Sequence, residues 1–250
     1  MSLAPTEVAE RDRKGAFRLG LGAWVGLFAA IIMIALPSIA IFTSTYAPGG
    51  AFTFGTTFLQ WAGALVLVGA VLFIVSLFLY RWGFSALRKV NGDFTMASFL
   101  CLLGSLGFVL ILVAAAVVTG SASNLLGCIQ GNPAHALSCM EANQPLGAYT
   151  AIVGFVLAWL GGLGIVLGLW VGGAHFDAPS LSLGAMVYLF FLFLLLVPLI
   201  EAAVPFEGGQ FLLVAVPVMS VAGPLLVLFG VLPRIRADLR TAPSAPASAA

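Results

Sequence analysis

Long runs of apolar residues alternate with short polar stretches along this chain. A bilayer core about 30 Å thick is crossed by about 20 helical residues, each rising about 1.5 Å. The runs are continuously apolar, whereas the strands of a membrane β-barrel alternate apolar and polar residues. We therefore predict an all-α polytopic membrane protein, a bundle of six transmembrane helices at Gly20–Phe42, Thr57–Tyr80, Phe94–Thr119, Tyr149–Val171, Leu181–Val204 and Phe211–Leu232.

The composition supports a membrane protein and excludes other classes. Of 250 residues, 62% are hydrophobic and 8% are charged, whereas about a quarter of the residues of a soluble domain are charged. The 10 Lys and Arg residues nearly balance the 9 Asp and Glu residues, so no overall basic field attracts nucleic acid. We expect membrane lipids as partners, and no nucleic acid.

The positions of the basic residues predict the orientation of the chain. Lys and Arg in short loops are kept on the cytoplasmic side of the membrane during insertion. The loops after the first, third and fifth predicted helices contain no basic residue. This pattern predicts a multipass protein of the cell membrane with both termini in the cytoplasm. The basic residues precede helix one (Arg11, Arg13, Lys14, Arg18), join helices two and three (Arg81, Arg88, Lys89) and follow helix six (Arg234, Arg236, Arg240).

The same pattern divides the chain into three parts. Residues 1–19 are a cytoplasmic N-terminal segment, in which Thr6 is suited to cap a helix, and residues 20–232 are the six-helix domain. The first apolar run is longer than that of a removable signal peptide, about 7–15 residues, so we expect it to be retained. Residues 233–250 are a cytoplasmic tail ending in TAPSAPASAA, a small-residue composition typical of disorder.

The fourth predicted helix has one face lined by glycine. Gly161, Gly164, Gly168 and Gly172 recur every three or four residues, a spacing that lets another backbone approach closely, as in GxxxG motifs. One interpretation is an interface with a partner membrane protein or with a second copy in a homo-oligomer. The other is close packing inside the bundle itself.

The longest non-cytoplasmic loop, between helices three and four, contains Cys128 and Cys139. On the oxidising side of a membrane, such a pair most simply forms a disulfide. The alternative is a metal site formed with His135, Met140 and Glu141, whose side chains suit soft or borderline metals. The spacing matches no recognised ligand motif, so we predict no metal and no other cofactor.

Glu201 is the one ionisable residue within a predicted span, and such residues are functional candidates. It lies near the outer end of helix five, after Pro198. The simpler interpretation is an interfacial carboxylate that reaches water. The functional one is a cation or proton site, formed with Glu207, in a vestibule loosened by the proline. Pro217 and Pro224 are expected to interrupt helix six, and such breaks sometimes line a pathway.

Signatures of enzymes are absent from the sequence. There is no HExxH, GxSxG or P-loop motif. Ser105 lacks a histidine at membrane depth to activate it. His175, beside Asp177, is interpreted as a turn residue, and Cys101 as a small buried apolar side chain. We predict no catalytic site.

The connection between helices two and three, RWGFSALRKVNGD, is short and basic. It is either a charged turn that fixes topology or a short interfacial helix near anionic headgroups. In the helical interpretation Phe84, Leu87 and Val90 share one side, while Arg81, Ser85 and Arg88 share another.

A resemblance to a known group covers about a quarter of the chain, from helix two through helix three. It is carried by Gly83, Phe84 and Leu87 in a GF-x-x-L turn, followed by Gly104 and Gly107 in a glycine-rich helix. In these residues the chain resembles uncharacterised multipass membrane proteins found mainly in archaea. The resemblance implies a six-helix membrane fold and no known activity.

These observations favour a structural or accessory membrane protein that packs against partner proteins or lipids. The alternative is a small transporter or channel for a neutral or small substrate, with a pathway near Glu201. The helices contain no Asp, Lys, Arg or His at hydrocarbon depth, which counts against ion coupling there.

Overall fold

The computed structural model describes residues 5–36, 56–119, 145–196 and 209–241. Every regular element within these ranges is helical, and we number six helices in chain order. The helices are α1 (Pro5–Ala30, continued by a π-helical turn at Ile31–Ala35), α2 (Thr56–Leu87), α3 (Phe94–Thr119), α4 (Pro145–His175), α5 (Pro179–Leu194) and α6 (Gly209–Thr241).

Five of these helices are long and apolar enough to cross a membrane, and α5 is a shorter apolar helix. The predicted span Leu181–Val204 extends beyond the described part of α5, which has 16 residues. Pro198 has no amide proton to donate to the carbonyl of Leu194, where α5 ends. The structure confirms a helical bundle of membrane type. The stretches that are long and apolar enough to span a membrane are Thr6–Ala35, Leu67–Leu87, Phe94–Ala114, Tyr149–His175 and Ala215–Pro233.

Helices α1 and α6 differ from the prediction in ways that change the picture of the chain. Helix α1 begins at Pro5, so the residues before Gly20 continue the first apolar helix without a break. Helix α6 runs unbroken to Thr241, through prolines 217, 224 and 233, so the expected interruption of helix six at Pro217 and Pro224 is wrong. Neighbouring helices make this continuity possible, because their packing supports a helix whose own hydrogen bonds are incomplete.

The six helices form a closed ring, in which each packs against the helices before and after it in the chain and α1 also packs against α6. Contacts between the helices show that neighbouring helices run antiparallel. Gly15 in α1 lies against Leu87 at the end of α2, and Gly20 lies near Ile235 in the last part of α6. Both described ends of the chain therefore lie at the same end of the ring.

A column of aromatic rings fills the core towards that end. Tyr80 stacks on Phe84, and Phe84 on Phe94, each pair with ring centroids 6.0 Å apart. His175 meets Phe94 edge-on at 5.7 Å. Tyr80, Phe84 and Phe94 are fully buried. The column ties α2, α3 and α4 together, because its rings come from all three helices.

The wide turn in α1 is matched by a glycine on α2. The amide of Leu36 donates to the carbonyl of Ile31, five residues earlier, which is the hydrogen bond of a π-helix. A Cβ on Gly69 would lie 3.1 Å from the Cα of Met33 and 2.5 Å from its Cβ. The missing side chain at Gly69 therefore makes room for the wider turn.

The outer surface of the ring is apolar. Large side chains such as Trp24, Phe28, Phe190 and Phe229 are about half exposed or more. An apolar surface this extensive is unfavourable in water and is covered by lipid tails in a membrane.

Candidate functional site

Most charged side chains of the described residues gather at one end of the ring, where α1 begins and α2 and α4 end. We call it the basic end. There Arg18 donates through Nη1 to the backbone carbonyl of Trp82, 3.3 Å away. Lys14 pairs with Glu10 one turn earlier on the exposed side of α1.

The turn between α2 and α3 is tightly hydrogen bonded. The amides of Val90 and Asn91 donate to the carbonyl of Leu87, at 2.8 and 2.9 Å. The side-chain oxygen of Asn91 accepts from the amide of Asp93 at 3.0 Å, a local bond that favours a turn. Helix α2 continues to Leu87, past its predicted end at Tyr80.

This longer α2 changes the environment of two residues that the interfacial-helix interpretation placed on one side of a short helix. Phe84 and Leu87 are fully buried in the core rather than turned towards headgroups. Arg81 and Ser85 stay partly exposed, and Arg88 is exposed. The segment is therefore the last turns of a packed helix followed by a tight turn.

A cavity of about 590 Å³ opens between α2 and α3 at the basic end. We call it the α2–α3 cavity. Its polar wall combines basic and hydroxyl side chains from both helices, and apolar side chains of α3 continue the wall towards the middle of the bundle. The lining residues are Arg81, Ser85, Arg88, Gly92, Asp93, Thr95, Met96, Ser98, Phe99 and Leu102.

Hydrogen bonds hold the polar wall of this cavity together. The hydroxyls of Ser85 and Ser98 lie 2.8 Å apart, and Ser98 also donates to the carbonyl of Arg81 at 3.4 Å. Within the described ranges, neither Arg81 nor Arg88 forms an ion pair. Two guanidinium groups thus face one carboxylate, that of Asp93, and the wall carries a net positive charge.

A second polar contact at the basic end joins α1 to α4. His175 Nε2 and Asp12 Oδ1 lie 3.0 Å apart, and both side chains are partly buried. Phe176 packs edge-on against the same imidazole, with centroids 4.9 Å apart. Asp177, the neighbour considered from the sequence, instead turns the chain into α5 with a φ of 49°. The imidazole thus anchors the first turns of α1 to the end of α4.

The glycine face of α4 lies against other helices of the same chain. Gly161 touches Gly104 backbone to backbone, and a Cβ on Gly164 would lie 2.7 Å from the Cβ of Leu100 in α3. Gly168 leaves space for the ring of Phe84. Gly172 is different, because its nearest neighbour would be 3.7 Å from an added Cβ. We call the contact of Gly104 and Gly107 with α4 the glycine seam.

The interior of the described helices contains no buried charged side chain. Two of its buried serines donate to backbone carbonyls: Ser76 to that of Gly22 in α1 at 2.8 Å, and Ser105 to that of Cys101, one turn earlier in α3, at 3.0 Å. Cys101 is buried and free. These two hydroxyls are therefore satisfied by backbone carbonyls within the packed helices.

Several residues singled out from the sequence lie outside the described ranges. These include Cys128 and Cys139, so their disulfide stays a prediction, and Glu201. In the part of the chain that the structure describes, no three His, Cys, Asp or Glu side chains are grouped to hold a metal ion.

Comparisons with protein-family models, with curated proteins and with solved structures find no match to this chain. The resemblance to the archaeal-type multipass proteins therefore stays a prediction.

Proposed function

We propose that this chain is a structural or accessory protein of the cell membrane that packs against lipids and partner membrane proteins. The observation that carries this proposal is the contrast between the interior and the basic end. The described interior is closely packed and free of charge, whereas charged side chains collect at one end. We infer that such a protein acts through its surface, because its described core holds no charged side chain to bind or act on a substrate.

The proposed topology has six spans and both termini in the cytoplasm. Its support is the distribution of positive charge, since Arg18, Arg81 and Arg88 belong to the same end of the ring. Retention of such residues in the cytoplasm fixes the orientation of short loops.

Cysteine labelling tests this topology. In a background without native cysteines, Gly50→Cys and Gln130→Cys should react with an impermeant maleimide in intact cells, and Lys89→Cys should react only after the membrane is opened. Lys89 is exposed in the turn between α2 and α3, so protection there reports its side of the membrane. Reaction at position 89 in intact cells contradicts the orientation.

Co-purification tests the role itself. The protein extracted in a mild detergent should retain a protein partner, a second copy or a defined lipid in stoichiometric amount, which mass spectrometry identifies. A preparation that retains none of these, yet moves a small solute across vesicles, contradicts the proposal.

Glu201→Gln separates this role from the transport alternative. An interfacial carboxylate contributes little by itself, so the variant should insert, accumulate and support growth like the parent. A cation or proton site needs the charge, and its loss would abolish an ion-dependent flux at unchanged protein level. That loss would favour the transport alternative over the accessory role.

A further inference from the structure

The α2–α3 cavity has the chemistry of an anion site. Arg81 and Arg88 supply fixed positive charge, and neither is neutralised by an ion pair within the described residues. Guanidinium groups bind phosphate through paired N–H donors. Ser85 and Ser98 add hydroxyl groups beside them. Asp93 contributes one negative charge, so the two arginines leave the cavity with a net positive charge.

The apolar part of the wall shows which kind of anion fits. Met96 and Phe99 line the cavity and are more than half exposed. Below them, Leu106, Val109 and Val113 continue an exposed apolar stripe along the same side of α3. From Met96 to Val113 the stripe is roughly 25 Å long at the helical rise of about 1.5 Å per residue, close to the depth of a bilayer core. A free phosphate ion contacts none of this apolar wall, whereas a lipid whose phosphate lies in the cavity places an acyl chain along it.

We propose that the α2–α3 cavity binds the phosphate of an anionic phospholipid from the cytoplasmic leaflet, with an acyl chain lying along the α3 stripe. The proposal rests on the proposed function, whose topology puts the basic end in that leaflet, and it names the lipid class that the accessory protein holds. Arg81 and Arg88 bind the phosphate, while Met96 and Phe99 contact the first part of the chain.

A specific binding site differs from the general attraction of basic residues to an anionic membrane surface. Each Lys or Arg near such a surface contributes to attraction wherever it lies. Lys89 is exposed in the same turn but does not line the cavity. It is therefore the matched control for Arg81 and Arg88, since Lys89→Gln removes the same charge from the same region.

The test is a titration of the delipidated full chain in detergent with dioleoylphosphatidylglycerol, followed by native mass spectrometry. The parent should bind one such lipid well above dioleoylphosphatidylcholine. Arg81→Gln and Arg88→Gln should each weaken binding about tenfold, the effect of losing one charge-assisted hydrogen bond. Lys89→Gln should stay within about twofold of the parent. Arg88 is exposed, so its variant should fold even if the partly buried Arg81 proves less tolerant.

A second pair of variants tests the acyl contact without changing charge. Phe99 and Phe193 are each 54% exposed, but Phe99 lines the cavity and Phe193 lies on α5. Phe99→Ala should weaken binding of the lipid severalfold, and Phe193→Ala should not, because only the first removes apolar area next to the headgroup.

Three results would overturn the proposal. Equal losses for the Gln variants at positions 81, 88 and 89 would show general surface attraction. Displacement of the lipid by millimolar inorganic phosphate, with no effect of Phe99→Ala, would show a site for the free ion. Failure to prefer the anionic lipid would remove the role of the arginines. In each case a retained protein partner would still support the accessory function, so the two proposals fail separately.

Discussion

Helix α3 presents two faces that are packed in opposite ways. Towards α4 it places Gly104 and Gly107, and the two backbones touch along the glycine seam. Towards α2, at the basic end, it places larger and more polar side chains, among them Thr95 and Ser98, and leaves the α2–α3 cavity. The same helix is thus packed closely against α4 and loosely against α2 at the basic end. The size of the residue that faces each neighbour decides how closely the helices pack, because backbones can meet only where side chains are absent.

The difference also separates two roles within the bundle. The glycine seam has no room for water or solute, so it contributes stability and rigidity. The α2–α3 cavity costs packing on one side but offers charge and hydroxyl groups to a ligand. Variants that fill the α2–α3 cavity and variants that push α3 away from α4 at the glycine seam should therefore have unequal effects on stability.

The largest effect is expected at the seam. Gly161→Ala drives a methyl group into the backbone of Gly104, and overpacking of this kind costs about 1–3 kcal/mol. Gly172→Ala is the matched control, since an added Cβ there is in ordinary van der Waals range at 3.7 Å. Thermal unfolding in detergent should show a clear loss for the first variant and none for the second. Equal stability of the two variants would contradict the close backbone contact at the glycine seam.

A smaller effect is expected from filling the cavity. Ser85→Leu places an apolar side chain in open space and removes the hydrogen bond to Ser98, a loss of about 0.6 kcal/mol for such a contact between membrane helices. The melting temperature should change little, while lipid binding at the site should fall sharply. A large loss of stability would mean that the cavity wall is as tightly packed as the seam.

The smallest effect is expected at the edge of the basic end. Asp12→Asn weakens the contact with His175, and a partly exposed pair of this kind contributes about 0–1 kcal/mol. The change should appear as faster hydrogen exchange in the first turns of α1 rather than as global unfolding. Glu10→Gln, which removes only the exposed partner of Lys14, should leave exchange beyond its own turn unaltered. The same increase in both variants would show that His175 does not anchor α1.

Much of the fold follows from the sequence because apolar runs in a membrane have few alternatives to helices. The predicted bounds Phe94–Thr119 are also the observed bounds of α3, since the Asn-Gly-Asp turn marks its start. Helix six was less well predicted. Local rules treat prolines as breaks, but α6 continues through Pro217 and Pro224.

The candidate site was only partly visible in the sequence. The helical spacing of Arg81, Ser85 and Arg88 predicted that they share one side, and all three line the cavity. The opposite wall comes from α3, and no periodicity within α2 reveals it. The contact of Asp12 with His175 joins residues 163 positions apart. Such a contact follows from closure of the ring, which single-helix patterns do not encode.

The wide turn at Ile31–Ala35 bears on how the length of this chain can change over evolutionary time. One residue gained or lost within an α-helix rotates everything after it by about 100°, which turns packed side chains away from their neighbours. A π-turn holds one residue more than a regular turn, and Gly69 gives it room. A single-residue deletion in 31–35 is therefore absorbed where it occurs, whereas the same deletion at Ala23 would rotate the rest of α1 off α2. Natural variants that differ by one residue in this helix should carry the change in that short stretch.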